Sequence, residues 1–544
     1  MTEKAAANLR SLYRIFTIPE APDSKLGKID QAISENVADF LQKHIVALEH
    51  SLAEIEKDFS TSAVPEEPMY VSDYTEFIKE KLVAQSVHTA APGFVGHMTS
   101  ALPYFMLPLS RIMPALNQNL VKVETSKAFT PLERQVLAML HRLIYRSDDA
   151  FYQTWIHDSN HALGAFCSGG TIANTTALWA ARNRLFSPDG EFRGIAEQGI
   201  FRAYRHLGCE GVAVFVSRRA HYSFKKAADV LGIGRDALVL IDTDENNRID
   251  LTVLRREYAK LQERKILPLA LIGLAGTTET GNVDPLNALA DFAEEIGCHF
   301  HVDAAWGGPT LFSDTHRHLL AGIERADSVT IDAHKQLYVP MGAGMVLFKS
   351  PDALQAIEHH ANYILRHGSK DLGSHTLEGS RPGKALLVHA GLSIIGRKGY
   401  ELLIDLGIER ARQFAALIEQ HPNFELITVP ELNILTYRFN PGWLQAVLPS
   451  LAEALQVRIN LIIDQIVQEV QKRQREAGKT FVSRTRLWSQ RYPASQQITV
   501  FRSVLANPLT TEQILSEVLD EQCAIVRDTE VQQLLDEVRA LVGQ

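Results

Sequence analysis

Short strand-like segments alternate with amphipathic helical segments between residues 162 and 350 of this 544-residue chain. This alternation predicts an α/β fold with a mainly parallel sheet that helices cover on both faces. Ligands bind such sheets at the carboxyl ends of the strands, so chemically active residues that follow a strand are the first candidates for a site. The predicted strands are GVAVFVS (211–217), ALVLID (237–242), LALIGLAG (269–276), HFHVDAA (299–305), SVTIDAH (328–334) and AGMVLFK (343–349).

The flanking regions have a different pattern. Apolar residues recur at helical spacing in residues 30–55 and 72–83, and a long helix is predicted for 454–478 among three strand-like runs at 433–440, 481–488 and 498–507. A chain of this length exceeds one compact core. We therefore predict three parts: an N-terminal helical segment that contributes to a dimer contact (1–100), a large α/β domain (101–384) and a small C-terminal α+β domain (385–544).

Composition excludes several classes of partner. The net charge is -9, with 55 Lys and Arg against 64 Asp and Glu and no basic run, so neither nucleic acid nor an anionic membrane is an expected partner. The four cysteines are too widely spaced for a CxxC motif, which favours a cytoplasmic location. The longest apolar run, near 267–276, is too short to span a bilayer. The histidine pairs lack the carboxylate or cysteine partners that would complete a metal site.

Two charged residues stand at predicted strand ends in the stretch 299–335. Asp303 follows the strand HFHV, and Lys335 follows SVTIDAH. An amine and a carboxylate presented in this way suit pyridoxal 5'-phosphate, which needs a lysine for its Schiff base and an acid that keeps its ring nitrogen protonated. The same pattern is also compatible with a surface lysine at the end of a strand in a nucleotide-binding protein.

Three further strand ends carry polar residues. Ser168, Gly169, Gly170 and Thr171 form a tight turn before a helical run, so their N–H groups and hydroxyls can converge on a phosphate, although taken alone this pattern is more often an ordinary capped helix start. His221 follows the strand that ends at Ser217 and can stack on a ring, donate a proton or simply face solvent. Thr277 and Thr278 follow another strand, where a hydroxyl can reach a phenolic oxygen or merely belong to a turn.

The irregular segment APGFVGHMTSALPYFM contains the single imidazole His97, and long irregular segments inside compact domains are often functional. A lone histidine in such a loop is more often structural. A small acidic substrate would need an arginine, because the guanidinium fork matches a carboxylate. Arg502 and Arg381 are the candidates, and His97 is a third candidate for the substrate side.

The order of these motifs resembles the fold-type I pyridoxal-phosphate enzymes and, within them, the group II amino-acid decarboxylases, which include glutamate and aromatic amino-acid decarboxylases. The resemblance covers roughly residues 90 to 510. Over its full length the chain is similar to the bacterial pyridoxal-dependent aspartate 1-decarboxylases, which make β-alanine. The matching text is SGGTIAN, the His221 element, GTTETGNVDP, HVDAAWGG, SVTIDAHK and ITVFRSVLANP.

The resemblance implies a role for each matching residue. Lys335 would form the Schiff base, Asp303 would pair with the ring nitrogen, and His221 and Ala305 would lie on opposite faces of the ring. Arg502 would hold a substrate carboxylate. The phosphate would be bound by the remaining matched residues, which are Ser168, Gly169, Gly170, Thr171 and His334.

The implied activity is that of a homodimeric pyridoxal-phosphate-dependent carboxy-lyase that converts L-aspartate to β-alanine and carbon dioxide. Glutamate and cysteine sulfinate are alternative substrates, because one methylene changes binding by only about 1–3 kcal/mol. A different pyridoxal-phosphate reaction on the same fold and a non-catalytic nucleotide-binding protein are further alternatives.

Two positions depart from the family pattern. Gln336 stands where many relatives have a large apolar or aromatic residue, and the loop 363–381 has no tyrosine after Tyr363. Some relatives use a loop tyrosine as the acid that protonates the product, so that acid stays open among Tyr363, His367 and His375.

Overall fold

Seven strands form the larger sheet of the protein. The computed structural model describes Gln31, Glu35 and residues 51–361, 368–488 and 496–543. The spatial order of the strands is β1-β7-β6-β5-β4-β2-β3. Their bounds are β1 (Gly164–Cys167), β2 (Gly211–Ser217), β3 (Leu238–Ile241), β4 (Ile266–Leu274), β5 (His299–Asp303), β6 (Ser328–Asp332) and β7 (Gly344–Phe348).

Strand direction places the site residues at one edge of this sheet. Strands β6, β5, β4, β2 and β3 are parallel neighbours. Strand β7 is antiparallel to both β6 and β1, so β1 runs in the same direction as β6. The carboxyl ends of β1, β2, β4, β5 and β6 therefore lie along the same edge, which is where ligands bind in sheets of this kind.

All six strands that the alternation predicts in this region are present, within three residues at each end. The four-residue strand β1 was not predicted. Its sequence GAFC is too short to show periodicity, and only its pairing with β7 defines it as a strand. The mainly parallel α/β sheet is confirmed, with β7 as its antiparallel member.

Both faces of the sheet are buried. Along β2, Phe215 belongs to one apolar cluster, while Val214 and Val216 belong to the cluster on the other face. Strand β4 repeats the pattern with Leu271 on the first face and Ile272 on the second. Because successive side chains of a strand point to opposite faces, helices must cover both sides. Five helices in this region are α8 (Gly170–Leu185), α9 (Ile195–Leu207), α10 (Ser223–Val230), α11 (Leu251–Gln262) and α12 (Leu286–Ile296).

A smaller antiparallel sheet forms near the C-terminus, with the order β10-β11-β9-β8. Its core contains Phe501 and Tyr437 from the sheet and Ile463 from the long helix that the sequence predicts for 454–478. The strands are β8 (Phe424–Thr428), β9 (Ile434–Phe439), β10 (Ser483–Trp488) and β11 (Gln497–Val504). The helices of this region are α13 (Ala385–Ile394), α14 (Gly396–Gln420), α15 (Gly442–Val447), α16 (Glu453–Ala477), α17 (Glu512–Val526) and α18 (Thr529–Val542).

The N-terminal part contains shorter helices. The predicted helix at 72–83 is present as α2, which continues into a π-helical turn at Lys79–Val83. Most of the predicted helix at 30–55 lies outside the described residues. Within the described part of the chain, none of the helices has the length and apolarity needed to cross a membrane. The domain boundaries at residues 100 and 384 stay predictions. The helices are α1 (Leu52–Ile55), α2 (Val71–Ile78), α3 (Met106–Ser110), α4 (Ile112–Leu116), α5 (Val123–Ser126), α6 (Phe129–Tyr145) and α7 (Asp149–Trp155).

Candidate active site

A cavity of about 510 Å³ lies at the edge where the parallel strands end. Each of the five strand ends contributes to its wall, because the loops that follow them are brought together by the common strand direction. Twelve residues that the sequence selected line this one cavity: His97, Ser168, Gly169, Gly170, Thr171, His221, Thr277, Thr278, Asp303, Ala305, His334 and Lys335.

Asp303, the last residue of β5, is held in place by two hydrogen bonds. The backbone N–H of Ala305 donates to Oδ1 at 3.1 Å, and the side-chain amide of Asn174 donates to Oδ2 at 2.9 Å. Asn174 is oriented in turn by His301, whose Nε2 lies 3.1 Å from the Asn174 oxygen. Since an amide oxygen only accepts, the proton of His301 is on Nε2.

The ring of His301 is neutral. It is fully enclosed, and this burial lowers its pKa to about 3. Its Nδ1 then accepts from the hydroxyl of Ser328, 2.8 Å away. A chain of hydrogen bonds therefore runs from β6 through His301 and Asn174 to Asp303, and it fixes the direction in which that carboxylate points.

Lys335 follows the end of β6 and faces a second carboxylate. Its Nζ lies 3.2 Å from Oδ2 of Asp332, the last residue of β6. His334 lies on the same oxygen, with Nε2 at 3.7 Å. The amine is partly buried, and its neighbours Asp332 and His334 come from the same strand end, so the lysine is positioned by its own segment.

The turn before helix α8 is open enough to receive an anion. The helix does not use the N–H groups of its first turn, at Gly170 and Thr171. A Cβ on Gly170 would lie only 2.8 Å from Asp332 Oδ2, so this close approach requires glycine. One expected donor is already engaged, because the Ser168 N–H donates to Glu378 at 2.8 Å.

His221 is a neutral imidazole beside Asp303 and Lys335. Burial lowers its pKa, Lys335 lowers it further, and Asp303 opposes the shift. Its Nδ1 accepts from the backbone N–H of Ser223 at 3.2 Å, which leaves the proton on Nε2.

The threonine loop lines the cavity with Thr277 and Thr278. The hydroxyl of Thr277 bonds within the loop, to Thr280 at 2.8 Å and to the N–H of Asn282 at 3.2 Å. The contact of Thr278 with a phenolic oxygen stays a prediction.

Arg502 lies behind the cavity wall, on the central strand β11 of the small sheet. Its Nε donates to the carbonyl of Thr278 at 2.6 Å, and its Nη1 donates to the carbonyl of Gly96 and the hydroxyl of Ser483, both at 3.2 Å. Within the described residues its buried Nη2 has no hydrogen-bond partner. Burial lowers the pKa of Arg502 to about 10, so the guanidinium stays charged at neutral pH.

His97 stands between this arginine and the lysine. Its pKa is lowered by burial and then by the charges of Arg502, Lys335 and His334. The Thr99 N–H donates to Nδ1 at 3.3 Å, so the neutral ring carries its proton on Nε2.

Arg381 is not brought to the cavity. Both of its terminal nitrogens bind the carboxylate of Glu133 on helix α6, in a pair buried on both sides. The cavity lining does not include it. Its two terminal nitrogens are already engaged by an internal carboxylate, so we do not assign it to the substrate.

The two departures from the family pattern have different outcomes. Gln336 is buried, donates to the carbonyl of Trp306 at 2.8 Å and accepts from the amide of Asn433 at 2.8 Å. Of the three open proton donors, Tyr363 and His367 lie outside the described residues. His375 is buried away from the cavity lining, next to Glu358, and burial lowers its pKa to about 4.

The lining residues that were not selected from the sequence include Asn174, Arg219, Tyr222 and Asp332. Arg219 pairs with Glu279 at 3.1 Å and also donates to Asn247 at 2.6 Å. Asn174 follows Thr171 by one helical turn, so the first-turn polar pattern of SGGTIAN is a signal that could have found it. Asp332 stands three residues before Lys335, within the strand end that the sequence already marked.

These residues fit pyridoxal 5'-phosphate. The cavity presents a lysine amine, a fixed carboxylate and an anion seat with free N–H groups, which are the three features that the cofactor requires. Among the described residues no cluster of three or more His, Cys, Asp or Glu is placed to hold a metal ion.

The matching family model, the pyridoxal-dependent decarboxylase conserved domain, covers residues 54–440, and the chain belongs to this family. It is therefore a pyridoxal-phosphate-dependent enzyme that decarboxylates a small amino acid.

Relatives agree with this assignment. The chain is 60% identical over 527 residues to an aspartate 1-decarboxylase of Aliivibrio fischeri, covering 97% of this chain and 96% of that protein. It is 29% identical over 449 residues to the cysteine sulfinic acid decarboxylase of Mus musculus, covering 81% and 83% of the two chains. The crystal structure of mouse CSAD superposes with a TM-score of 0.79 at 25% identity, covering 92% of this chain and 98% of that one.

Proposed function

We propose that this enzyme is an L-aspartate 1-decarboxylase that produces β-alanine and carbon dioxide. One observation carries the substrate assignment: the identity with the aspartate 1-decarboxylase of Aliivibrio fischeri, which spans nearly the whole chain. The more distant similarity to a cysteine sulfinic acid decarboxylase supports an acidic substrate of this size and keeps cysteine sulfinate as the second candidate.

The roles of the cofactor residues follow from the cavity. Lys335 holds the cofactor through its amine, and Asp303 pairs with the ring nitrogen because Asn174 and the Ala305 N–H fix its direction. When bound, pyridoxal phosphate supplies an electron sink for the electron pair that carbon dioxide leaves behind. His221 and Ala305 confine the two faces of the ring, Thr278 faces its phenolic oxygen, and the turn at 168–171 with His334 receives the phosphate.

Arg502 and His97 form the substrate side of the proposed site. The unpartnered Nη2 of Arg502 is a buried donor on a charged group, which is costly to leave without an acceptor. A substrate carboxylate would satisfy it, and the N–H on Nε2 of His97 can donate to the same substrate. An amino acid with two carboxylates matches the positive charge of Arg502 better than an aromatic amino acid does.

Lys335→Ala tests the chemical core of this proposal. We expect the purified variant to lose the visible absorbance of the lysine-bound cofactor and to release no carbon dioxide from any amino acid. Lys349→Ala is the matched control, since Lys349 also follows a strand end but does not line the cavity. Retained absorbance together with retained carbon dioxide release in the Lys335 variant would contradict the assignment.

A panel of amino acids tests the identity of the substrate and the type of reaction. Aspartate, glutamate, cysteine sulfinate and an aromatic amino acid are assayed side by side for carbon dioxide and for keto acid. We expect the highest kcat/KM for carbon dioxide release with aspartate. A preference for cysteine sulfinate or glutamate would contradict the proposed substrate. Keto-acid formation without carbon dioxide would contradict the proposed reaction.

A homodimer in the cytoplasm is the proposed state of the enzyme. The segment 102–116 exposes apolar side chains that a second subunit can cover, namely Leu102, Tyr104, Leu107 and Leu116. The four free cysteines support a reducing compartment. Sedimentation equilibrium checks the dimer, and a concentration-independent mass of one chain would contradict it.

A further inference from the structure

Asp332 is a buried carboxylate at the point where the proposed phosphate seat is built. Its side chain lies under the first turn of helix α8, where a Cβ on Gly170 would stand 2.8 Å from Oδ2. On the other side a Cβ on Gly344 would stand 2.5 Å from Oδ1. Asp332 is only 2% exposed and lines the cavity. The carboxylate therefore occupies the same helix start that would receive the cofactor phosphate.

The charges around Asp332 are unevenly arranged. Oδ2 faces Lys335 Nζ at 3.2 Å and His334 Nε2 at 3.7 Å. Oδ1 is buried and has no hydrogen-bond partner within the described part of the chain. His221 is the other cavity group that feels its charge, and Glu378 brings a further carboxylate to the same turn at the Ser168 N–H. Of the nitrogens of Lys335 and His334, the ammonium of Lys335 is the nearer to the carboxylate.

Cofactor binding weakens that compensation. The Nζ of Lys335 would condense with the aldehyde of the cofactor, whose oxygen leaves as water, so the nitrogen would no longer be an ammonium held by Asp332 alone. A phosphate dianion at Gly170 and Thr171 would simultaneously add negative charge to the same enclosed space. Two anions in contact in a poorly solvated pocket favour protonation of one of them. A carboxylic acid, unlike a carboxylate, also donates a hydrogen bond to a phosphate oxygen.

We infer that Asp332 takes up one proton when the phosphorylated cofactor binds, so that the cofactor meets a carboxylic acid and not a carboxylate. The proton comes from solvent, and the Asp332 side chain changes from anion to neutral acid without any change in oxidation state. Proton uptake makes cofactor affinity pH-dependent, with weaker binding as the pH rises. This inference rests on the phosphate seat of the proposed function.

Titration calorimetry in buffers of different ionisation enthalpy measures how many protons the enzyme takes up for each cofactor molecule bound. The wild-type enzyme freed of cofactor and the Asp332→Asn variant are each titrated with pyridoxal phosphate and with pyridoxal, which lacks the phosphate. At pH 8 we expect the wild type to take up about one proton more than the variant, with pyridoxal phosphate only. Between pH 7.5 and 8.5 the wild-type Kd should rise about tenfold more than that of the variant.

The possible results distinguish a failure of the proposed role of Asp332 from a failure of the proposed phosphate site. Equal affinity for pyridoxal phosphate and pyridoxal would overturn the phosphate seat itself. Tighter binding of pyridoxal phosphate with equal proton uptake by the wild type and Asp332→Asn would overturn only the role of Asp332. Loss of the extra proton in His334→Gln would place the proton on the imidazole and would also overturn it. The exposed Asp189→Asn is the control that should behave as the wild type.

The wild type alone keeps the inference testable if Asp332→Asn does not fold. In that case the difference in proton uptake between pyridoxal phosphate and pyridoxal is decisive. A difference of about one proton supports the inference, and no difference contradicts it.

Discussion

At the sheet end of the cavity, both carboxylate oxygens of Asp303 have fixed donors, and the donor Asn174 is itself oriented by His301. Behind the cavity wall, and not part of its lining, Arg502 is held by the main-chain carbonyls of Thr278 and Gly96, and its Nη2 is left without a partner within the described residues. The carboxylate of Asp303 is satisfied by the protein alone. Arg502 keeps an unused donor, which an acceptor on a ligand would satisfy.

Arg381 is as buried as Arg502 but has a different hydrogen-bond partner. Glu133 supplies a carboxylate to both of its terminal nitrogens. The charge of Arg381 is therefore paired inside the protein, although its buried Nε also lacks a partner among the described residues, whereas Arg502 bonds there only to carbonyls and a hydroxyl. The following predictions test the difference between Asp303 with its fixed donors, Arg502 with its unused donor, and the ion pair of Arg381 with Glu133.

Asp303→Asn should have the largest effect. The amide cannot keep the ring nitrogen protonated, so we expect kcat to fall by roughly 10²–10⁴-fold, as for other groups that stabilise charge in a transition state. Cofactor content, measured by absorbance, should be partly retained. Unchanged turnover would remove Asp303 from this role.

Arg381→Met should affect folding and not substrate binding. Removing one partner of a buried ion pair leaves the other charge unpaired, which costs about 3–5 kcal/mol. Urea unfolding measures the loss, and the double variant Arg381→Met/Glu133→Leu should recover most of it. A large rise in KM with unchanged unfolding free energy would instead assign Arg381 to the substrate.

Arg502→Met should lower kcat/KM for aspartate by about 10²-fold, because a buried charge-assisted contact of about 3 kcal/mol is lost. The effect should appear mainly in KM, and the absorbance of the bound cofactor should not change. Arg502→Lys keeps the charge but loses the fork, so it should recover only part of the activity. Equal losses for aspartate and an uncharged amino acid would contradict substrate recognition.

The smallest effect concerns the dependence of the unfolding free energy on acid pH that the buried His301 causes. Burial lowers the pKa of His301 to about 3, while an unfolded histidine has a pKa near 6.5. As the pH falls from 6.5 to 5, the unfolded state binds the proton and the native state does not, so stability falls by about 2 kcal/mol.

Urea unfolding at several pH values checks this prediction. In His301→Gln this part of the pH dependence should disappear, whereas the control His318→Gln, at an exposed position, should leave it unchanged. An identical acid dependence of the wild type and the His301 variant would show that His301 is not the buried neutral group.

Much of the cofactor site was predictable because its residues follow strands. Asp303 ends a strand, and His221, Thr278 and Lys335 follow a strand by three or four residues; β-branched runs mark these strands locally, whereas the strand before the turn at 168–171 was not predicted. The common strand direction then places every one of them on the same wall.

What the sequence by itself determined is this list of strand ends and their chemistry. Only the tertiary structure decided which side chains support them, since Arg381 and Glu133 are 248 positions apart and Arg502 and Gly96 are 406 apart. Local periodicity reports which face of an element is buried, but it contains no information about the distant group that faces a buried charge. The two candidate arginines could therefore be separated only by the packing around them.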